Sequence, residues 1–145
     1  MRLKLITYGL GNEFDIKKFK PITNTTFIKP RGGLWASQVE ASYGWHQWCR
    51  ENEYGNLETS FEFEFEGNIL KIDSYDDARN MTWLPNNAVY SCINSPDFEA
   101  IAKQGFDAIW LTEKGETETR FSKPSLYGWD CECVLIINPF GVLLK

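Results

Sequence analysis

Two short segments carry side chains whose types and spacing could do chemistry. Gly32-Gly33-Leu34-Trp35-Ala36-Ser37 lies towards the N-terminus, and Asp130-Cys131-Glu132 opens a β-patterned run towards the C-terminus. Glycine lacks a Cβ, so the backbone at Gly32 and Gly33 can approach a ligand closely or take positive φ. Trp35 offers a flat face for stacking on a heterocycle. Ser37 adds a hydroxyl on the same side if the stretch is extended. Glu132 supplies a carboxylate. A glycine-lined pocket with an aromatic wall, faced by a carboxylate, suits a reaction in which positive charge develops on a sugar ring. The same residues also fit a plain turn, a core tryptophan and a helix cap.

On the late run, Asp130, Glu132, Val134 and Ile136 share one face, and Cys131, Cys133, Leu135 and Ile137 the other. Like charges two residues apart repel, and burying an unpaired one is costly. A strand end that opens into a cleft relieves that cost, and so does plain exposure at a strand terminus. Tyr127-Gly128-Trp129 makes a turn able to cover such a cleft.

The elements that must position these residues are legible in outline. Leu3–Tyr8 is expected as a first strand ended by Gly9 and Gly11. Residues 12–31 are expected as a long polar loop with a short turn of helix. The glycine segment is expected to open a helix over Ser37–Asn52. Ser37 would be its N-cap, Glu40 would complete a capping box, and Trp45, Trp48 and Cys49 would form a buried stripe. Phe61–Glu66 alternates perfectly and predicts a strand with phenylalanines inward and glutamates solvated. Gly67-Asn68 then predicts a hairpin turn to Ile69–Asp73. Asp76–Met81 is expected as a short helix, and Ser95-Pro96 as N-cap and first residue of a helix running to Gln104. Phe106–Leu111 resumes as strand, Lys114-Gly115 as a turn, and Thr119–Phe121 as a short strand. Cys131–Asn138 is the most β-like run, and Val142–Leu144 closes the sheet. Hairpin-length connections outnumber helical crossovers, which predicts an α+β domain over residues 1–145 with mostly antiparallel strands.

Composition narrows the function classes. The chain has 145 residues, 43% hydrophobic and 15% aromatic, with six Trp and ten Phe. That is globular, with more rings than a core of this size needs, and surplus rings often line pockets. A net charge of −5 lacks the basic footprint of a phosphate-backbone binder, so nucleic acid is not the expected partner. Lys17-Lys18 and Lys29-Pro30-Arg31 remain as short basic clusters that could meet a nucleotide's phosphates or be ordinary surface charge. Cys49, Cys92, Cys131 and Cys133 form no CxxC pair and His46 is the single histidine, so buried free thiols are expected and no metal site. No apolar run suits a signal peptide or a membrane span, and a cytoplasmic location is expected.

Several of these segments, in order, resemble the ADP-ribosyltransferase family, and most closely its poly(ADP-ribose) polymerase and diphtheria-toxin-like branch. Gly33-Leu34-Trp35-Ala36-Ser37 looks like the family's glycine-aliphatic-aromatic-small segment. Glu132 followed by Cys133-Val134-Leu135-Ile136 resembles its catalytic glutamate opening a strand. Leu5-Ile6-Thr7-Tyr8-Gly9 resembles the first-strand motif, with Tyr8 where His or Arg is usual. Gly105-Phe106-Asp107-Ala108-Ile109 is similar to a segment of small bacterial and phage members. The resemblance implies a split, mostly antiparallel β-sandwich that binds NAD as substrate. It implies that Tyr8 holds the adenine-side ribose, that the Gly9 backbone bonds the nicotinamide amide, and that Trp35 and Trp45 wall the nicotinamide ring. Ser37 would support Glu132, Glu132 would stabilise the oxocarbenium-like transition state, and Asp130 would orient an arginine acceptor.

The function so implied is mono-ADP-ribosyl transfer to a macromolecular, chiefly protein, acceptor. A small bacterial toxin or phage effector would fit, with an immunity or antitoxin partner. The alternative is a catalytically silent protein of the same fold that binds a protein or nucleotide, which Tyr8 favours. A Cys49–His46 hydrolase is a third reading, without an orienting third group.

Overall fold

The computed structural model describes residues 1–25, 29–85, 95–122, 126 and 129–143. In chain order the elements are β1 (Arg2–Tyr8), β2 (Leu34–Gln38), α1 (Trp45–Asn52), β3 (Ser60–Glu66) and β4 (Ile69–Ile72). They continue with α2 (Tyr75–Arg79), α3 (Phe98–Lys103), β5 (Ala108–Leu111), α4 (Glu113–Thr119), β6 (Cys133–Ile136) and β7 (Val142–Leu143). The result is an α+β fold with a seven-stranded sheet in the order β4-β5-β6-β2-β1-β3-β7. Every pairing is antiparallel except β4 with β5.

The alternating Phe-Glu run forms β3 as its period demands, paired with β1 from Arg2↔Glu66 to Tyr8↔Ser60. Phe61, Phe63 and Phe65 join Leu3 and Leu5 in one apolar cluster. Leu34, Ala36, Val134, Ile136 and Ala108 enter the same cluster from the other half of the sheet. The opposite face of that second half carries Ile109, Leu111, Cys133 and Leu135. It packs on Ile72, Ala78, Phe98 and Ile101 from β4 and the helices. Strand β6 is therefore buried on both faces, which accounts for its unbroken apolar run.

The expected hairpin after β3 does not form. Asn68 is captured by Asp107, whose carboxylate accepts the Asn68 N–H at 2.7 Å, while the Asp107 N–H donates to the Asn68 carbonyl at 2.7 Å. A Cβ on Gly67 would stand 2.7 Å from Asp107 Oδ2, so this corner needs glycine for close approach. The chain thus turns out of β3 and lies parallel to β5, at the far end of the sheet order.

Two helix expectations and one turn-and-strand expectation are corrected. The glycine segment leads into β2 and not into a helix, because Leu34–Ala36 pair with β6, and Ser37 and Gln38 with β1. Helix α1 begins only at Trp45, with Gly44 as N-cap. Ser37 still serves it from the strand, its Oγ accepting the Trp45 N–H at 3.0 Å. Helix α3 is capped by Asp97, not Ser95, since Pro96 bridges Trp83 before the helix starts. The Lys114-Gly115 turn and the Thr119–Phe121 strand are replaced by α4, capped by Thr112, whose side chain accepts the Gly115 N–H at 2.9 Å. Among the described residues no helix is long and apolar enough to cross a membrane.

Candidate functional site

Strands β1 and β2 pair only at Leu5↔Gln38 and Ile6↔Ser37. Beyond Ile6 the ladder stops, and the Thr7 hydroxyl donates to the Trp35 carbonyl at 2.7 Å in place of a main-chain bond. A cavity of about 400 Å³ lies where the strands part. Strand β1 lines it with Ile6, Thr7 and Tyr8, and β2 with Trp35 and Ala36. Trp45 comes from α1, and Trp129 and Cys133 from the approach to and start of β6. Its size is in the range of small-ligand sites, and its walls are mainly apolar, with the rings of Tyr8, Trp35, Trp45 and Trp129 among them.

The twin glycines shape the entry to β2. Both have positive φ, at +76° and +74°. A Cβ on Gly32 would stand 2.1 Å from the Pro21 carbonyl oxygen, and one on Gly33 2.8 Å from Leu135 Cδ1. This left-handed turn aims Trp35 at the cavity. Its ring meets Trp129 edge-on at 4.9 Å, and Trp129 in turn stacks on Phe98. Trp45 is held by stacking on Trp48 at 5.2 Å and by the edge of Tyr54. Tyr8 packs its ring 5.4 Å from that of His46. A smaller recess adjoins the cavity through Ile6, Tyr8 and Trp45, and Ser37 and His46 line it.

Glu132 is elsewhere. Alternation along β6 puts Cys133 and Leu135 on the Trp35 side, and Val134 and Ile136 on the other. Glu132 follows the second parity. Its Oε2 accepts Trp110 Nε1–H at 2.9 Å and its Oε1 the Gln38 N–H at 3.1 Å. Trp110 itself packs against the cluster between the two sheet halves. The residue is 2% exposed. The expectation that its carboxylate opens towards Trp35 is therefore corrected: the residue of β6 lining the cavity is Cys133. Burial lifts the Glu132 carboxyl to about 7, against the pull of the Trp110 and Gln38 donors, with Glu113 adding to the rise.

The remaining expected site residues divide. Tyr8, Trp35 and Trp45 converge on the cavity. Ser37 touches Glu132 through its main chain, donating to its carbonyl at 3.1 Å, and so supports its position without touching the carboxylate. The Gly9 N–H is spent on the Thr59 carbonyl at 2.9 Å, which removes it as a donor to an amide ligand. Asp130 has φ +68° and pairs with Lys29 at 3.0 Å. Cys49, Cys131 and Cys133 are free and buried, and Cys92, Tyr127 and Gly128 lie outside the described residues. Burial pushes the Cys131 thiol up to about 12 and Cys133 well above its ordinary range. Such thiols are poor nucleophiles at neutral pH. Burial also raises Cys49, while the His46 ring packs on Tyr8, so the Cys49–His46 pair gains no support. Among the described residues, no group of three or more His, Cys, Asp or Glu could hold a metal ion.

Cys133 and Trp129 line the cavity without having been expected as site residues there, and Trp110 is the unforeseen partner of the Glu132 carboxyl. The only signal for Trp110 was its place on the apolar run beside Ala108 and Ile109. No family model, curated protein or solved structure matches this chain.

Proposed function

We propose that this chain binds the nicotinamide-ribose half of NAD, or a nucleotide with a similar flat ring, in the cavity between β1 and β2, without cleaving it. The observation that carries the reading is the aromatic cavity where those two strands stop pairing, with Tyr8, Trp35 and Trp45 on its walls. A planar ring gains stacking and apolar burial there, and the thiol of Cys133 offers no charge to the sugar. A dinucleotide-cleaving site needs a carboxylate against the developing positive charge. Glu132 points to the other face of β6 and is held there by two N–H donors. This is the catalytically silent reading of the ADP-ribosyltransferase resemblance, with the parting of β1 and β2 as its support in the fold.

One observation favours transfer to a macromolecular acceptor as a second reading. Glu132 adjoins the cavity-lining Cys133 in the chain. A side-chain flip would bring it towards the bound sugar. Titration calorimetry with NAD, combined with an assay of released nicotinamide in cell lysate, separates the two. Binding heat with no nicotinamide release is expected, and Trp35→Ala weakens binding by about tenfold or more, the usual loss of a stacking platform. Nicotinamide release that Glu132→Gln abolishes would establish cleavage, and a mass gain of one ADP-ribose on a lysate protein would assign it to transfer rather than hydrolysis. Absence of heat from wild type would remove the cavity as a nucleotide site.

A further inference from the structure

We infer that Lys29 and Asp130 form a latch at the aromatic cavity, and that a phosphorylated nucleoside opens it by replacing the Asp130 carboxylate on Lys29 with its own phosphate. The inference rests on the cavity being a nucleotide site and adds the part of the ligand it selects. Of the described side chains lining the cavity, Lys29 alone carries positive charge. Its Nζ lies 3.0 Å from Asp130 Oδ2 and 5.9 Å from the centre of the Trp35 ring. The ammonium lies over the Trp35 face, so a base stacking there pushes Lys29 aside and leaves it free to meet the sugar-phosphate end of the same ligand.

The two partners come from chain segments 101 residues apart, one before β2 and one before β6. Their side chains are 42% and 25% exposed, so water screens the pair and it holds weakly. A phosphate brings more charge and more acceptor oxygens than one carboxylate, and it competes well for a lysine already positioned. Asp130 holds a left-handed φ of +68°, a conformation that Asp and Asn tolerate better than other residues with a Cβ. With Lys29 paired, no described side chain lining the cavity offers a bare positive charge to stray anions. The cation becomes available only to a ligand whose ring also fits the walls.

Calorimetry on the full chain with two matched pairs tests this: nicotinamide riboside against nicotinamide mononucleotide, and adenosine against ADP. The phosphorylated member of at least one pair is expected to bind about tenfold tighter. Lys29→Met should erase that increment, so that both members of each pair bind the variant alike. Asp130→Asn, which keeps the backbone conformation accessible, should tighten the phosphorylated ligand by about threefold and leave the nucleoside unchanged. Equal affinity within both pairs, an increment that survives Lys29→Met, or weaker phosphate binding by Asp130→Asn would each overturn the latch while leaving the cavity reading intact. No heat from any of the four ligands would overturn both.

Discussion

At the scale of single residues, Glu132 shows how strand parity overrides composition. A buried carboxyl with a folded-state value of about 7 sits above its ordinary value of 4.5, so the folded chain binds more protons than the unfolded one between those limits. Stability therefore falls as pH rises from 4.5 to about 7, and the penalty is complete above that. The size is on the order of 3 kcal/mol, the free energy of a shift of this span for a buried group. Glu132→Gln removes the titration but leaves one of the two N–H donors without an acceptor, at a cost of about 1–3 kcal/mol. Urea unfolding at pH 5 and pH 8 is expected to find the variant less stable than wild type at pH 5, with the gap closing or reversing at pH 8. A gap that widens with pH would show that Glu132 is ionised and stabilised where it lies. The cost of burying this acid was evident from the apolar run around it. Its partner was not, because nothing local ties position 132 to a tryptophan indole on a neighbouring strand.

At the scale of elements, α4 was hidden by the residue that makes it fit. Gly115 and the threonines of this stretch read as turn and strand. In the fold, a Cβ on Gly115 would stand 2.0 Å from the Ile72 carbonyl oxygen, so glycine is what lets the helix lie against the end of β4. The helix's own signals were present in Lys114–Glu118 and Glu116–Arg120, ion pairs at four-residue spacing. Gly115→Ala separates the two influences. Helix propensity alone predicts a gain of about 1 kcal/mol. The backbone clash predicts a loss of about 2–4 kcal/mol, and thermal melting is expected to show that loss. Glycine also misled at Gly67-Asn68, where hairpin chemistry was the local reading and Asp107 decided otherwise.

At the scale of the whole molecule, both halves of the sheet share one core. Phe63 lies on β3 and Val134 on β6, yet both belong to the cluster between the two halves. Phe63→Ala is expected to cost about 3–5 kcal/mol and to lower the stability of both halves together. Native-state hydrogen exchange on β1 and β6 checks this: equal loss of protection on both strands is expected. A loss confined to β1 and β3 would mean that the halves unfold separately.

The sequence by itself determined the α+β class, the positions of β1, β3, β5, β6 and β7, the inward phenylalanines and the aromatic surplus. Each follows from a local period, from β-forming residues or from composition. It also marked Trp35 as a face for stacking, whereas Tyr8 and Trp45 entered only through the resemblance, helical spacing having put Trp45 in a buried stripe. Only the tertiary structure decided that the glycine segment is a strand, that β4 runs beside β5, and that Cys133, not Glu132, lines the cavity. Those outcomes depend on which strand lies alongside which and on a one-residue register. A shift of one position turns every side chain of a strand to the opposite face, and no local pattern records it.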